Sequence, residues 1–518
     1  MYEGLNMKIK RLINGAAAIA AAAALLCGCN RGGVTAGKKE NKDESVRLQM
    51  RISKTIDPIF VENGAVREVL SLCYEPLFAV DNDIKVFGVL AKNCIVSDDC
   101  KSAVITLKDD VLWHSGEKFT ASDVVYTVEK IKENPQSVYS DCVKYIESTV
   151  PIDEKTLRIE LSRPYAQIAY SLWFPIIREG SENLDEKING TGAYRLSEYL
   201  PATQLKLAAF DKWHGGMAKC NEITVSLMRD GETAGAAFAS GVIDAVTSKD
   251  YDLYENAVKK NMRTAQYAGT RLEYLAFNHT HALFKSANVR QAVACAINRE
   301  AITKDCYKGA AAAKTVLHPG FAAQLNGDAI SQYSAENAQE LMFYEGYTID
   351  PETGKLQNEN KNTAAFKILV NEENTARLKC AQTLSLHLNE AGFSTEVSAV
   401  SFEEYENAIK QGNFDAYVGG VQPVNLFDWE FLLSKDGALN SFGYASDYTE
   451  LALSALAKAS TEDATKDAAA NFEEVFMREQ PVCPLAFLEE TLVTTDKIRG
   501  NLSPIINFPY QNLYKWNI

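Results

Sequence analysis

Only one stretch of this 518-residue chain is long and apolar enough to concern a membrane, and it stands at the start. Lys8-Ile9-Lys10-Arg11 make a basic head, and Leu12 to Leu26 is mostly alanine, leucine and isoleucine. A spanning helix wants roughly 20 apolar residues; this run is shorter and is broken by Asn14 and Gly15. A charged head, a short apolar run and a small residue before the cut predict a secretory signal over 1–28, cleaved between Gly28 and Cys29. Cys27 is the poorer first residue, because bulky Leu26 would occupy the small-residue position. Met7, directly before the basic cluster, is a second candidate start. An uncleaved anchor is the alternative. On either reading the rest of the chain is exported and held at a membrane, and must fold in water outside the cytoplasm.

About 490 residues follow the leader, too many for one core, so two or three domains are expected. Apolar residues make up 46% of the chain, enough for large cores. The whole chain carries 53 basic and 68 acidic residues, a net charge of −15. Losing Lys8, Lys10, Arg11 and Glu3 with the leader removes three positive charges and one negative, which takes −15 to −17. Such a surface repels nucleic acid and anionic headgroups, so neither is expected as a partner. The 11 cysteines are scattered and contain no C-x-x-C. Without Cys27 and Cys29 their number is odd, so at least one stays free or pairs outside the chain. Cys73, Cys142, Cys295, Cys306 and Cys380 sit among apolar residues and read as small core side chains. Cys94 and Cys100 flank a turn, where a disulfide is one option. Unpaired thiols in an exported chain hint at a reducing or anaerobic habitat.

Asn30 to Ser45 is polar and lacks aromatics, which predicts a flexible tether over 29–45. Folding begins at Val46–Ile52, an alternating strand. A helix through Val69–Leu72 is expected next, then a hairpin of Cys94–Val96 and Val104–Leu107. Thr120 and Asp123 open a helix over Val124–Ile131. Gly190-Thr191-Gly192 reads as a turn between strands, since the helix that a phosphate loop needs does not follow. Leu205–Leu207 and Ile223–Leu227 are strands, Ala234–Ser240 a short helix, and Gly241–Val246 turns into a further strand. Asn288 is expected to cap one helix running through Val289, Val293, Ile297 and Ile302 to a stop at Gly309. Phe366–Val370, Asn374–Ala391 and Thr395–Val397 form a β-α-β unit with parallel strands. Ser401 and Glu404 make a capping box. One long helical stretch is expected from Asp447 to Arg478, and strands and aromatics return from Val482 to Ile518.

Two resemblances follow from these stretches. Leu26-Cys27-Gly28-Cys29 resembles the lipobox of bacterial lipoproteins, which implies that Cys29 is lipidated and becomes the first residue. An ordered set of stretches resembles the large solute-binding proteins of ABC importers, family 5, which carry oligopeptides, dipeptides or nickel. It comprises Ile56-Asp57-Pro58, Leu72 to Leu77, Leu112 to Gly116 with Asp123 to Tyr126, and Gly190 to Tyr194. It continues through Ser240 to Asp244, Phe277-Asn278, Val289 to Val293 with Ala296 to Ile302, and Gly412 to Asp415. The resemblance implies an α/β fold of the periplasmic-binding-protein type II: two lobes, mixed sheets flanked by helices, and an inserted domain. Lobe I would comprise 46–77, 173–277 and 482–518, the inserted domain 78–172, and lobe II 278–481. It implies capture of a solute by hinge closure and delivery to the permease and ATPase of an ABC importer. The protein is expected to be a monomer, extracytoplasmic, lipid-anchored, without a cofactor and not an enzyme.

In peptide-binding members a Gly-Trp-x-x-Asp stretch follows the Phe-Asp strand, and its aspartate holds the peptide's amine. Here Gly419-Gly420-Val421-Gln422-Pro423-Val424-Asn425-Leu426-Phe427-Asp428 puts Val421 at the tryptophan and Val424 at the aspartate. A valine cannot neutralise an ammonium. Either the ligand lacks a free amine there or Asp428 supplies the charge, so Gly420, Val421, Gln422, Asn425 and Asp428 are candidate ligand residues. Tyr139 and Tyr274 are candidate aromatic lining, with half-buried packing as the plain alternative. Glu62 and Asn63 are candidates from the loop after Asp57-Pro58. His279-Thr280-His281 has the geometry to share a metal, but no third ligand lies near it in sequence, so no metal site is expected. A secreted hydrolase is the rival class; none of the six histidines lies in His-Glu-x-x-His, and no Gly-x-Ser-x-Gly occurs. A signal or pheromone sensor on the same scaffold is a third reading.

Overall fold

A computed structural model describes residues 45–182, 184–185, 187–248, 262–322 and 333–518. The leader, Cys29 and the tether up to residue 44 lie outside the described residues.

The chain opens with β1 (Ser45–Arg51) and α1 (Gly64–Leu70). Asn63 caps α1, its side-chain oxygen accepting from the Val66 N–H at 3.4 Å. The expected hairpin is β2 (Ala91–Val96) with β3 (Ser102–Leu107). In α2 (Ala121–Lys132) Asp123 accepts from the Thr120 N–H at 2.8 Å and from the Trp113 indole at 3.2 Å, a buried carboxylate at a positive helix end. β4 (Ile146–Pro151), β5 (Thr156–Leu161), β6 (Tyr194–Leu200), β7 (Gln204–Ala209) and β8 (Glu222–Met228) follow. Next come α3 (Gly231–Ala239), β9 (Ala245–Ser248) and the 15-residue β10 (Arg263–Phe277).

The single helix expected from Asn288 is two helices, α4 (Ala287–Cys295) and α5 (Arg299–Asp305). Ser286 stands at the first N-cap, and the Asn298 side chain accepts from the Ala301 N–H at 3.0 Å. A side chain that caps the backbone competes with helix continuation, so Asn298 restarts the helix, which ends before Gly309. Then come β11 (Ala365–Asn371), α6 (Thr375–Glu390), β12 (Ser394–Val400), α7 (Phe402–Lys410) and β13 (Ala416–Val421). Ser401 caps α7 with the reciprocal Glu404 contact its sequence predicts. The long stretch after Asp447 is also divided, into α8 (Asp447–Lys458) and α9 (Glu462–Glu479), because Thr461 caps a new helix at the Ala464 N–H. β14 (Val482–Thr494) is the last long strand.

These strands make three main sheets. One has the order β1-β8-β7-β6, with β1 parallel to β8 and the other pairs antiparallel. A second, β2-β3-β5-β4, is antiparallel throughout. The largest has the order β9-β14-β10-β13-β11-β12, and the β11, α6, β12 unit is parallel as expected. Its two central strands, β10 and β14, pair over their length and are flanked differently at their ends. β9 lies beside β14 at Thr491–Thr494, whereas β13 lies beside β10 at Leu272–Phe277. Between those ends the ladder shifts register between Tyr267 and Arg271. This is a narrow neck of two strands with a bulge. Gly269 sits in it, and an added Cβ would fall on the Leu488 carbonyl, so only glycine lets the strands approach so closely.

Apolar side chains divide along the neck. One cluster gathers β1, β3, α2, β5, β7 and β8 with Ile498, Tyr510, Leu513 and Trp516 from the chain's end. Two others gather Leu272 to Phe277, α4, α6, β11, β13, α8, α9 and Val482 to Phe487. Gly190 and Gly192 lie where a Cβ would meet the carbonyls of Cys73 and Leu72, so this Gly-x-Gly is a site of close backbone approach. Cys94 and Cys100 are free thiols, as is every described cysteine. Among the described residues no helix is long and apolar enough to cross a membrane.

Candidate functional site

A cavity of about 320 Å³ lies against the neck, within the range of about 300–1,000 Å³ usual for small-ligand pockets. Tyr267 and Glu490, opposite each other on β10 and β14, form part of its wall. α1 contributes Gly64, Ala65, Arg67 and Glu68; Tyr139, Trp173, Thr247 and Asn507 to Pro509 add further surface; Gln422, just past β13, enters from the other side. α1 presents its charges here because Val66, Val69 and Leu70 turn its apolar face into the core.

The wall combines flat apolar rings with opposite charges. Tyr139 packs edge-on against Trp173 with ring centroids 5.3 Å apart. Burial raises the Tyr139 hydroxyl pKa, so it stays a neutral donor. Arg67 spends Nη1 on the carbonyls of Val61 at 3.3 Å and Glu62 at 2.5 Å. Glu68 accepts from the Thr247 hydroxyl at 2.6 Å and Glu490 from the Tyr267 hydroxyl at 2.8 Å. Burial, then Glu490 and Glu68, push the Tyr267 hydroxyl well up, so it remains a donor. A carboxylate has about four lone-pair positions, so one hydroxyl does not exhaust either glutamate. The wall therefore offers carboxylate acceptors, a guanidinium and apolar rings, the groups that bind a solute bearing both an ammonium and an anionic end.

Of the residues singled out in the sequence, Tyr139 and Gln422 line this cavity. Glu62 is exposed beside it and enters through its carbonyl's bond to Arg67, while Asn63 is the α1 cap. Tyr274 is buried and packs on Tyr417, the two hydroxyls 3.5 Å apart. Val421 is buried in the same cluster. Gly420 lies under a buried ion pair: Arg377 of α6 donates from Nε and Nη2 to Glu273 of β10 at 2.7 and 3.1 Å. A Cβ on Gly420 would lie 2.8 Å from Glu273 Cδ and closer still to Arg377 Nη2 and Glu273 Oε1.

Asn425 and Asp428 turn away from the cavity and join the segment around β4 and β5. Asn425 donates to the Tyr165 hydroxyl at 2.6 Å and the Gln167 carbonyl at 2.9 Å. Asp428, 8% exposed, sits 2.8 Å from the Lys144 ammonium. Burial by itself would depress the Lys144 pKa, but Asp428 outweighs it and the pKa lies above the ordinary lysine value. Arg163 pairs with Glu430 through two hydrogen bonds, and the Trp173 indole donates to the Val424 carbonyl at 3.1 Å. The position aligned with the amine-binding aspartate thus presents its backbone to Trp173. His279 is half-buried, its Nε2 2.8 Å from the Pro481 carbonyl, with a pKa pushed down to about 4 by desolvation. His281 Nδ1 accepts from the Leu283 N–H at 3.3 Å.

Arg67, Glu68, Trp173, Tyr267 and Glu490 were not singled out in the sequence. The signal for one of them was present: Glu489-Glu490 puts two carboxylates inside the otherwise apolar strand Val482–Thr494. Carboxylates interrupting a buried strand need a partner or a ligand.

A large mixed sheet that narrows to a two-stranded neck, with a cavity at the neck, is the architecture of the two-lobed binding proteins. Residues 85–442 match the model of bacterial extracellular solute-binding proteins, family 5, and the chain belongs to that family. It is 27% identical over 336 residues to the glutathione-binding protein GsiB of Salmonella typhi, covering 62% of this chain and 65% of GsiB. The chain therefore spans just under two thirds of that relative's length. It is 24% identical over 460 residues to the nickel-binding protein NikA of Staphylococcus aureus, covering 85% of each. Its fold is that of the periplasmic murein tripeptide-binding protein MppA in an unliganded open form, with a TM-score of 0.79 and 18% identity over 92% of this chain and 98% of MppA.

Proposed function

We propose that this protein is the extracytoplasmic solute-binding component of an ABC importer, and that it captures a small peptide-like solute in the cavity at the neck. The observation that carries this reading is the wall itself: Arg67, Glu68 and Glu490 surround a gap that Gln422 reaches from across the neck. A solute seated there contacts both sides of the molecule at once. Its binding therefore favours the closed arrangement over the open one, and the closed form is what a permease accepts. Glu68 and Glu490 serve the ammonium that Val424 cannot, and Arg67 serves the opposite end. Lobe I is taken as 46–77, 173–277 and 482–518, the inserted domain as 78–172 and lobe II as 278–481, with β10 and β14 as the hinge. Cys29 carries the lipid that holds the protein at the membrane, as a monomer, beside the permease and its ATPase.

The test is a melting-shift screen of the soluble part against dipeptides, tripeptides, glutathione, Ni²⁺ alone and Ni²⁺ with histidine. A ligand at 100 times its Kd stabilises by about 2.7 kcal/mol, which is readily seen as a rise in Tm. The expected result is a rise with short peptides, together with compaction in solution scattering. A rise only with nickel would overturn the peptide reading, and turnover of any compound would overturn the binding role. Cys29→Ser should free the protein from membranes, whereas continued retention would point to an uncleaved anchor.

A further inference from the structure

A second cavity, of about 570 Å³, lies on the α5–α6 side of the large sheet, and a cysteine opens onto it. Cys306, the C-cap residue of α5, is half-buried in a wall that carries Arg271, Lys308 and Lys379 together with Glu273, Asp305 and Glu489. Behind it stands Cys380, wholly buried on α6, in the apolar cluster against which Cys306 packs. Cys306 Sγ also lies 3.4 Å from the Thr383 hydroxyl. Thr383 is one turn beyond Cys380, so the outer sulfur packs on the same face of α6 that carries the inner one. Cys295 also lines a cavity and has Cys483 as a neighbour, but that wall carries Glu340 and no lysine or arginine.

We propose that Cys306 and Cys380 form a thiol–disulfide exchange site, in which Cys306 attacks a small organic disulfide from solvent and Cys380 resolves the adduct. In the first step the Cys306 thiolate attacks one sulfur of the disulfide. A Cys306–S bond forms, the S–S bond breaks, and one thiolate leaves to take a proton from water. In the second step Cys380, losing its proton to solvent, attacks Cys306 Sγ and expels the second thiolate. The protein loses two electrons and two protons, and the organic disulfide becomes two thiols. The neighbouring Lys379 favours the thiolate form.

The two thiols are already divided into these roles. The neighbouring Cys380, with help from Thr383 and Lys379, outweighs burial and brings the Cys306 pKa down to about 7. The neighbouring Cys306, and then burial, keeps Cys380 well above the ordinary thiol value. In the other seven described cysteines burial is the first cause of a raised pKa. At pH 7 roughly half of Cys306 is thiolate, against a few per cent for a free cysteine, and lower intrinsic nucleophilicity leaves a net gain of roughly three-fold in rate.

The experiment treats the reduced, folded protein with glutathione disulfide at pH 7 and follows thiol count and peptide mass. Wild type should lose two thiols, mapped to a Cys306–Cys380 crosslink that dithiothreitol reverses. Cys380→Ser should stop at one glutathionyl adduct on Cys306, and Cys306→Ser should leave Cys380 unreacted. Cys380→Ala, which suits an apolar site, replaces the serine variant if the latter loosens the fold. A lasting adduct on Cys306 in wild type, earlier reaction at any other cysteine, or no reaction while the melting profile stays native would each overturn the proposal.

Discussion

Replacing Gly420 by alanine tests whether this glycine of the recognition stretch serves the fold or the ligand. The added methyl meets the Arg377 guanidinium and the Glu273 carboxylate, which are joined by two hydrogen bonds at 2.7 and 3.1 Å. Their side chains are only 9% and 2% exposed, so neither has room to swing into water. The methyl lies 2.8 Å from Glu273 Cδ, tighter than real Cβ contacts allow, so the carboxylate has to shift and the paired geometry is lost. Stranding a buried charge by removing its partner costs about 3–5 kcal/mol, the upper bound when both charges stay but are pushed apart. Equilibrium denaturation of Gly420→Ala should show a loss of up to that order. The same substitution in an Arg377→Met, Glu273→Leu background, where the clashing pair is gone and Arg271, which also bonds Glu273, is exposed enough to turn to water, should cost much less. The two backgrounds should therefore differ by about 2 kcal/mol or more, a coupling well outside additivity. Equal cost in both backgrounds, or no cost in the native one, would refute the reasoning and leave the glycine to a ligand.

His114, His279 and His318 are held near a pKa of about 4 by burial. Their folded pKa lies below the unfolded value of about 6.5, so the unfolded chain binds more protons between those limits and stability should fall as pH drops from 6.5 towards 4, by up to about 3 kcal/mol for each. A flat Tm over that range would count against it. Lys144 works at the other end of the scale: its folded pKa is raised, so its contribution is present below the unfolded lysine value and fades above it. Asp428→Asn should remove that alkaline dependence and weaken the contact between the Lys144–Ser171 and Val424–Glu430 segments, seen as a more extended particle in solution scattering. Glu490→Gln should weaken binding of a free-amine peptide by about ten-fold or more, the worth of one charge-assisted bond, while an N-acetylated peptide is scarcely affected. Gly269→Val should push β10 off Leu488 and abolish ligand-linked compaction while the cores on either side stay folded; retained compaction would move the hinge elsewhere.

Much of the fold could be read from local signals. The alternation at Val46–Ile52, the capping box at Ser401 and the β11, α6, β12 unit each depend on a few adjacent residues, and all three stand in the structure. The two helices read as single were misread for one reason. Asn298 and Thr461 are polar enough to lie on an exposed helix face, and only tertiary packing reveals that their side chains cap a restart. The site was less legible. Tyr139 and Gln422 were reached by resemblance, but Arg67, Tyr267 and Glu490 meet only after distant parts of the chain fold together. Asp428 looked like a spare charge, because Lys144 is far away in sequence.

The route of the last strand has a consequence for how such a chain comes into being. β14 must be in place before β9 has its partner, and Tyr510, Leu513 and Trp516 fill the core that β1 begins. The first-made half therefore stays unfinished until the final residues emerge. Under the proposed export, in which the chain is threaded through a membrane unfolded, this is an advantage, since a portion that cannot complete itself early cannot jam the pore. A chain shortened by its last turn of sequence, ending before Tyr510, would be left with its opening half permanently incomplete.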